Sequence, residues 1–88
     1  MPGFELIGEE EREAVNQLFD DGGVLLAHGF DKARNGRYHV REFEAKFAKR
    51  VGVKYAQAIS SGTAAIKVAL IALGVKPGDE VITQAFTF

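Results

Sequence analysis

From Ala64 to Leu73 the chain reads Ala-Ala-Ile-Lys-Val-Ala-Leu-Ile-Ala-Leu, with Lys67 as its one polar residue. At helical period such a run has no polar face, so a helix here must be covered on both sides. The rest of the chain offers two helices with one apolar stripe each and two short strand-like runs, too little for the wide sheet that an α/β layer needs. A chain of 88 residues is also short for such a task, since domains near this size bury only roughly 60% of the surface their unfolded chain exposes.

What flanks the apolar run is equally informative. Ile59 closes a short apolar segment, Ser60-Ser61-Gly62-Thr63 makes a turn, and Gly74 with Pro77-Gly78-Asp79 makes a second turn before Val81-Ile82-Thr83-Gln84-Ala85-Phe86-Thr87-Phe88. The order predicted is strand, tight turn, buried helix, strand. A Gly/Ser/Thr turn between a strand and a helix converges backbone N–H groups on an anion, with the positive end of the helix dipole behind them. The natural guest is a phosphorylated small molecule. The last run is β-branched and aromatic, with no turn residue or charged tail after it; it predicts that these residues are the amino-terminal segment of a longer protein.

The first half of the chain predicts two amphipathic helices. Glu9-Glu10-Glu11-Arg12-Glu13 puts carboxylates in a first helical turn, Val15, Leu18 and Phe19 form a stripe, and Gly22-Gly23 ends it; Leu6 and Ile7 are placed for a hydrophobic staple. Val24 to Phe30 reads equally as strand or loop, and residues 31–39 read as a polar surface loop. The second helix carries Val40, Phe43, Phe47 and Val51 on one side and pairs Glu42 with Lys46 on the other, with Gly52 as its stop. Tyr55 to Ile59 is the predicted first strand. No internal repeat, low-complexity tract or linker interrupts the 88 residues.

Composition excludes several classes. Hydrophobic content of 47% with 26% charged residues is that of a globular chain, and a net charge of −1 offers no basic stripe for nucleic acid or anionic membrane. There is no cysteine, hence no disulfide framework or thiolate metal site. His28 and His39 are the only histidines and have no third ligand in sequence, so no metal site is expected. The start Met1-Pro2-Gly3-Phe4-Glu5 leads into acidic residues and lacks a basic n-region followed by an apolar core, so no signal peptide is expected; the apolar helix is well short of the roughly 20 residues of a membrane span, which makes a cytoplasmic protein the expectation.

The turn lacks the spacing of a P-loop or a dinucleotide fingerprint. The longer string is more specific. Ser60-Ser61-Gly62-Thr63-Ala64-Ala65, the mostly apolar residues to Gly74, Lys76-Pro77-Gly78-Asp79-Glu80-Val81-Ile82-Thr83 and Phe86-Thr87-Phe88 closely resemble the amino-terminal region of the DegT/StrS-type sugar aminotransferases. The resemblance extends back through Val40, Phe43, Glu44, Phe47, Ala48 and Gly52 to about Gly36. It implies an α/β fold: the amino-terminal part of the large domain of a pyridoxal-phosphate-dependent transferase, incomplete in residues 1–88, with no complete second domain.

Further expectations follow from the resemblance. The cofactor would be pyridoxal 5′-phosphate, with its phosphate on the N–H groups of Thr63 and Ala64 and on the Thr63 hydroxyl. Gly62 would permit the close approach, Ser61 would cap the helix, and the Phe88 ring would stack on the pyridine. Asn35-Gly36-Arg37-Tyr38-His39 stands where many members carry a Thr-Gly-Pro type loop near the substrate opening, making Arg37, Tyr38 and His39 the substrate-loop candidates. Gln84 stands where many carry proline. Arg34, Arg37 and Arg41 suit a diphosphate, or else a solvated surface. No lysine or acid of the family's catalytic pair has a matching position, and Lys67 reads as a snorkelling side chain.

The implied reaction moves an amino group from an amino acid, typically glutamate, to a nucleotide-linked keto-sugar, in an enzyme that is a homo-oligomer, a dimer when intact. These 88 residues alone would be inactive. A dehydratase of the same family and a non-catalytic binding or assembly fragment are the alternatives. With its strand edges and apolar helix unpartnered, an isolated monomer should be molten or aggregating, and an ordered form should bury the face of Ile66, Leu70 and Leu73 against other copies or further chain.

Overall fold

The computed structural model describes residues 3–87. It contains three α-helices, α1 Glu9–Asp20, α2 His39–Val51 and α3 Gly62–Ala72, with short 3₁₀ turns at Phe4–Leu6 and Asp31–Ala33. Residues up to Gln57 form one compact unit and those from Ala58 on a second.

In the first unit, α1 begins where the acidic run predicts. The Gly8 N–H donates to Glu11 Oε2 at 2.7 Å, which satisfies one of the donors that a helix start leaves over. That bond, with the Glu11 backbone N–H, holds the Glu11 carboxyl below the usual carboxylate range. Leu6 and Ile7 stay exposed. No staple forms, because the fourth helical position, where its apolar partner would stand, is Arg12.

The helix ends share one device. At the end of α2 the N–H groups of Gly52 and Val53 both reach the Ala48 carbonyl, at 2.9 and 3.0 Å, with Gly52 left-handed at φ 79°. The Gly23 N–H closes α1 on Leu18 O at 3.0 Å, and the Val75 N–H closes α3 on Leu70 O at 3.1 Å. Gly22 has a second reason to be glycine. Its φ is 110°, and a Cβ there would fall well inside contact distance of the Ala33 carbonyl oxygen, so the end of α1 and the 31–33 turn meet backbone to backbone.

α1 and α2 do not pack on one another. What joins them is the intervening loop. The Arg37 guanidinium reaches Asp21 at 3.9 Å and Glu42 at 3.4 Å, bridging the end of α1 to the first turn of α2. Phe43 and Phe47 stack along α2 with ring centroids 5.7 Å apart, yet both remain about half exposed. Ala48 is the one buried apolar residue described.

In the second unit α3 spans the expected run, and the Lys76–Asp79 turn forms as Pro77-Gly78 requires, with Gly78 at φ 94°. Asp79 Oδ2 accepts from the Lys76 N–H at 2.7 Å, and the Asp79 N–H returns to Lys76 O at 3.0 Å.

One expectation is corrected here. The strands predicted at residues 55–59 and 81–88 are absent among the described residues, so the three helices alone do not display the α/β class. A strand is a hydrogen-bonded pair, and β-branched composition cannot supply the second member. Tyr55, Ile82 and Phe86 are accordingly exposed, Ile82 and Phe86 almost completely. That α3 is left uncovered, with Ile66, Ile71 and Leu73 each more than half exposed, is what so short a chain leads one to expect.

The two glycines differ in a measurable way. Gly52→Ala meets no neighbour and should cost only the left-handed backbone, about 1–2 kcal/mol. Gly22→Ala adds a backbone clash and should cost more. Hydrogen exchange would show protection lost around residues 48–53 in the first variant, and around 18–23 and 31–34 in the second.

Candidate functional site

The turn predicted to receive a phosphate lies at the start of α3. Ser61 precedes it in extended conformation, φ −159° and ψ 159°, and its Oγ accepts from the Ala64 N–H at 3.1 Å. The Ala65 N–H bonds to the Ser61 carbonyl at 2.9 Å, the first closed turn. Ser61 is therefore the N-cap, and its hydroxyl takes up one of the helix's four spare donors. The N–H groups of Gly62 and Thr63 have no acceptor among the described residues. They are the pair a helix start can offer an anion, backed by roughly half a positive charge from the helix dipole.

Gly62 is not required by its backbone, which is helical, nor by crowding, since a Cβ there would meet no atom within 4 Å. Thr63 is exposed and heads a groove of about 500 Å³ lined by Ile66, Lys67, Leu70, Ile71 and Val75. Ala64 is half-buried, and its N–H is directed to Ser61. Phe88, the expected stacking residue, lies outside the described residues.

The second candidate site is the loop from Val24 to Tyr38, within the first unit. The sequence presents Arg34 as one of three similar loop arginines. The structure separates them. Arg34 is only 4% exposed, and its guanidinium donates from Nε to Gly29 O at 2.5 Å and from Nη2 to His28 O at 3.1 Å and to Leu26 O. It is thus committed to the protein's own carbonyls and is not a surface ligand for a diphosphate. Arg37 is shared between Asp21 and Glu42. Arg41 lies over the Tyr38 ring, 4.4 Å from its centroid, and makes no ion pair among the described residues.

Tyr38 joins these parts. Its hydroxyl donates to Asp31 Oδ1, and the Arg34 guanidinium carbon lies 5.0 Å from its ring centroid. The bond to Asp31 is the main cause that pushes the phenol above its ordinary range, because losing the proton would set an oxyanion against the carboxylate. His39 opens α2 and borders a space of about 10 Å³ with Leu18, Asp21, Val24, Arg34 and Arg37, room for no more than one water. Arg37, Tyr38 and His39 are therefore brought together with Arg34. No sequence signal marks Arg34 apart from its neighbours except the glycine at 29, whose carbonyl is one of its three acceptors. Among the described residues no three His, Cys, Asp or Glu side chains gather as a metal cage, and no helix is long and apolar enough to cross a membrane.

Residues 6–88 match the DegT/DnrJ/EryC1/StrS aminotransferase family, and the chain belongs to it. Its sugar aminotransferases depend on pyridoxal phosphate. Among the chain's relatives is the spore coat polysaccharide biosynthesis protein SpsC of Bacillus subtilis (strain 168), 43% identical over 83 residues, which are 94% of this chain and 19% of that protein. GDP-perosamine synthase of Escherichia coli O157:H7 is 38% identical over 79 residues, 90% of this chain and 19% of the relative. The enzyme of the same name from Vibrio cholerae is 38% identical over 78 residues, 89% of this chain and 19% of the relative. The chain thus spans about a fifth of the length of these relatives. No solved structure matches it.

The Tyr38–Asp31 bond has a direct optical test. Tyrosinate absorbance should show Tyr38 titrating above the ordinary phenol range, and Asp31→Asn should bring that titration down, since the amide leaves no carboxylate to oppose the phenolate. A raised phenol pKa stabilises the fold at pH below the ordinary phenol value, and this contribution fades as pH rises through the folded-state value. The loop should therefore loosen only in alkali.

Proposed function

We propose that this chain supplies the phosphate-binding segment of a pyridoxal-phosphate-dependent sugar aminotransferase, acting on a nucleotide-linked keto-sugar with glutamate as amino donor. The observation that carries the reading is the capped start of α3, where Ser61 satisfies Ala64 and the N–H groups of Gly62 and Thr63 are left for an anion. The residues fit the group: two backbone donors, the exposed Thr63 hydroxyl, and a glycine whose Cβ position is open. When bound, the cofactor supplies the electron sink on which amino-group exchange depends.

This chain's share is to hold and orient. Gly62 and Thr63 would fix the phosphate by backbone donors that neither titrate nor rotate, and Ser61 keeps the helix start intact while they do so. The aromatic position at Phe88 would keep the ring flat by stacking. Arg37, Tyr38 and His39 would form the loop that meets the sugar substrate, with Arg41 as the cation for its diphosphate. The sugar and nucleotide reading is supported by two relatives that are named GDP-perosamine synthases and a third named for polysaccharide biosynthesis.

The cradle is testable without turnover. Gly62→Pro removes one donor while suiting the first helical position, and Ser61 already has the extended backbone that a following proline demands. Titration with pyridoxal phosphate should show affinity reduced about tenfold, the loss of one charge-assisted hydrogen bond. Unchanged affinity in a still-helical variant would remove the assigned turn.

The 88 residues on their own should make no specific covalent attachment to the cofactor, since no lysine among them stands at the family's position for it. Borohydride reduction in the presence of pyridoxal phosphate, followed by peptide mapping, should give scattered lysine labelling at most. Stoichiometric labelling of one lysine would overturn this assignment.

A further inference from the structure

We infer that Arg34 is a positioning residue for sugar-nucleotide binding, acting through Tyr38 on Arg41; the inference rests on the substrate-loop reading above. Arg34 is the only charged side chain buried among the described residues, and it has no ion-pair partner there. A guanidinium in that position is tolerable only where acceptors answer its donors. Three of them, from Leu26, His28 and Gly29, converge on its Nε and Nη2.

The consequence for the backbone is visible on either side. Phe30 is left-handed at φ 58° and Asn35 at φ 49°, and an aromatic residue adopts that region only under constraint from its surroundings. Arg34 supplies the constraint. It pulls the 26–29 carbonyls inward at one end of the loop and places its guanidinium by the Tyr38 ring at the other. Asp31, from the turn between, accepts the Tyr38 hydroxyl. The ring is therefore fixed at its edge and its face before any ligand arrives.

What the fixed ring carries is Arg41. Its guanidinium is held over Tyr38, its side chain is exposed, and no carboxylate neutralises it among the described residues. A cation held by an aromatic face keeps its donors for a guest, whereas one held by a carboxylate has spent them. The guest that fits is a diphosphate group.

The test uses GDP and UDP as probes, calorimetry for binding, and hydrogen exchange for the loop. Arg34→Lys keeps the charge but not the fork of donors. It should lose protection over residues 24–38 and weaken the nucleotide that binds by about tenfold, the scale expected when a contact is misplaced and not removed. Pyridoxal phosphate affinity should stay unchanged, which a general collapse of the protein would not allow. Arg41→Gln should weaken the nucleotide equally while leaving loop protection intact. Adding Phe30→Gly to Arg34→Lys should recover part of the protection, because glycine needs no clamp to stay left-handed.

Loop protection unchanged in Arg34→Lys would overturn the inference, as would protection lost with nucleotide affinity intact. If Arg37→Gln, Tyr38→Leu and Arg41→Gln all leave the affinity unaltered, or if the unaltered protein binds neither nucleotide, the substrate-loop reading fails and this inference with it. A loss of nucleotide affinity in Arg41→Gln but not in Arg34→Lys leaves that reading standing and removes Arg34 alone.

Discussion

A guanidinium out of water must have its N–H groups answered, and in this chain the answer comes from main-chain carbonyls. Around that point the loop of the first unit is built. The carbonyls of Leu26, His28 and Gly29 turn toward the guanidinium, Phe30 and Asn35 have left-handed backbone on either side of the 31–33 turn, and that turn approaches Gly22 without an intervening side chain. The helices on either side are placed by a polar loop, not by packing on each other. Apolar burial, the usual organiser of a unit this size, is confined to Ala48.

The helices were legible in the sequence because their ends are written in local chemistry. Acidic residues from Glu9, the Ser61 cap and the glycines at 22–23, 52 and 74 act within one turn of themselves, and each helix begins and ends within about two residues of its predicted limits. The strands were not legible in the same sense. Val81 and Ile82 have the composition of a strand, but pairing is a relation between segments that composition does not contain.

The candidate sites divide along the same line. Ser61, Gly62 and Thr63 are contiguous, so their spacing on a helix start could be read directly from the chain. Spacing alone does not say which donor the cap takes, and here the Ser61 hydroxyl accepts from the Ala64 N–H. Arg34 was read with Arg37 and Arg41 as one group of surface cations. Which of three arginines turns inward depends on where carbonyls five and eight residues earlier point, and that is a property of the folded loop.

The apolar girth of α3 bears on how tolerant its amino end is to its surroundings. A helix with nothing polar around its waist but Lys67 has no azimuth of its own, and whatever packs on it sets the angle at which it sits. Each residue steps about 100° around the axis, so a slip of one position would carry a side-chain ligand to another quadrant. Main-chain donors at the tip behave differently, since they lie close to the axis and point along it. The chain therefore keeps its spare main-chain donors on the part of the helix that rotation barely moves, and its packing on the part that can be turned.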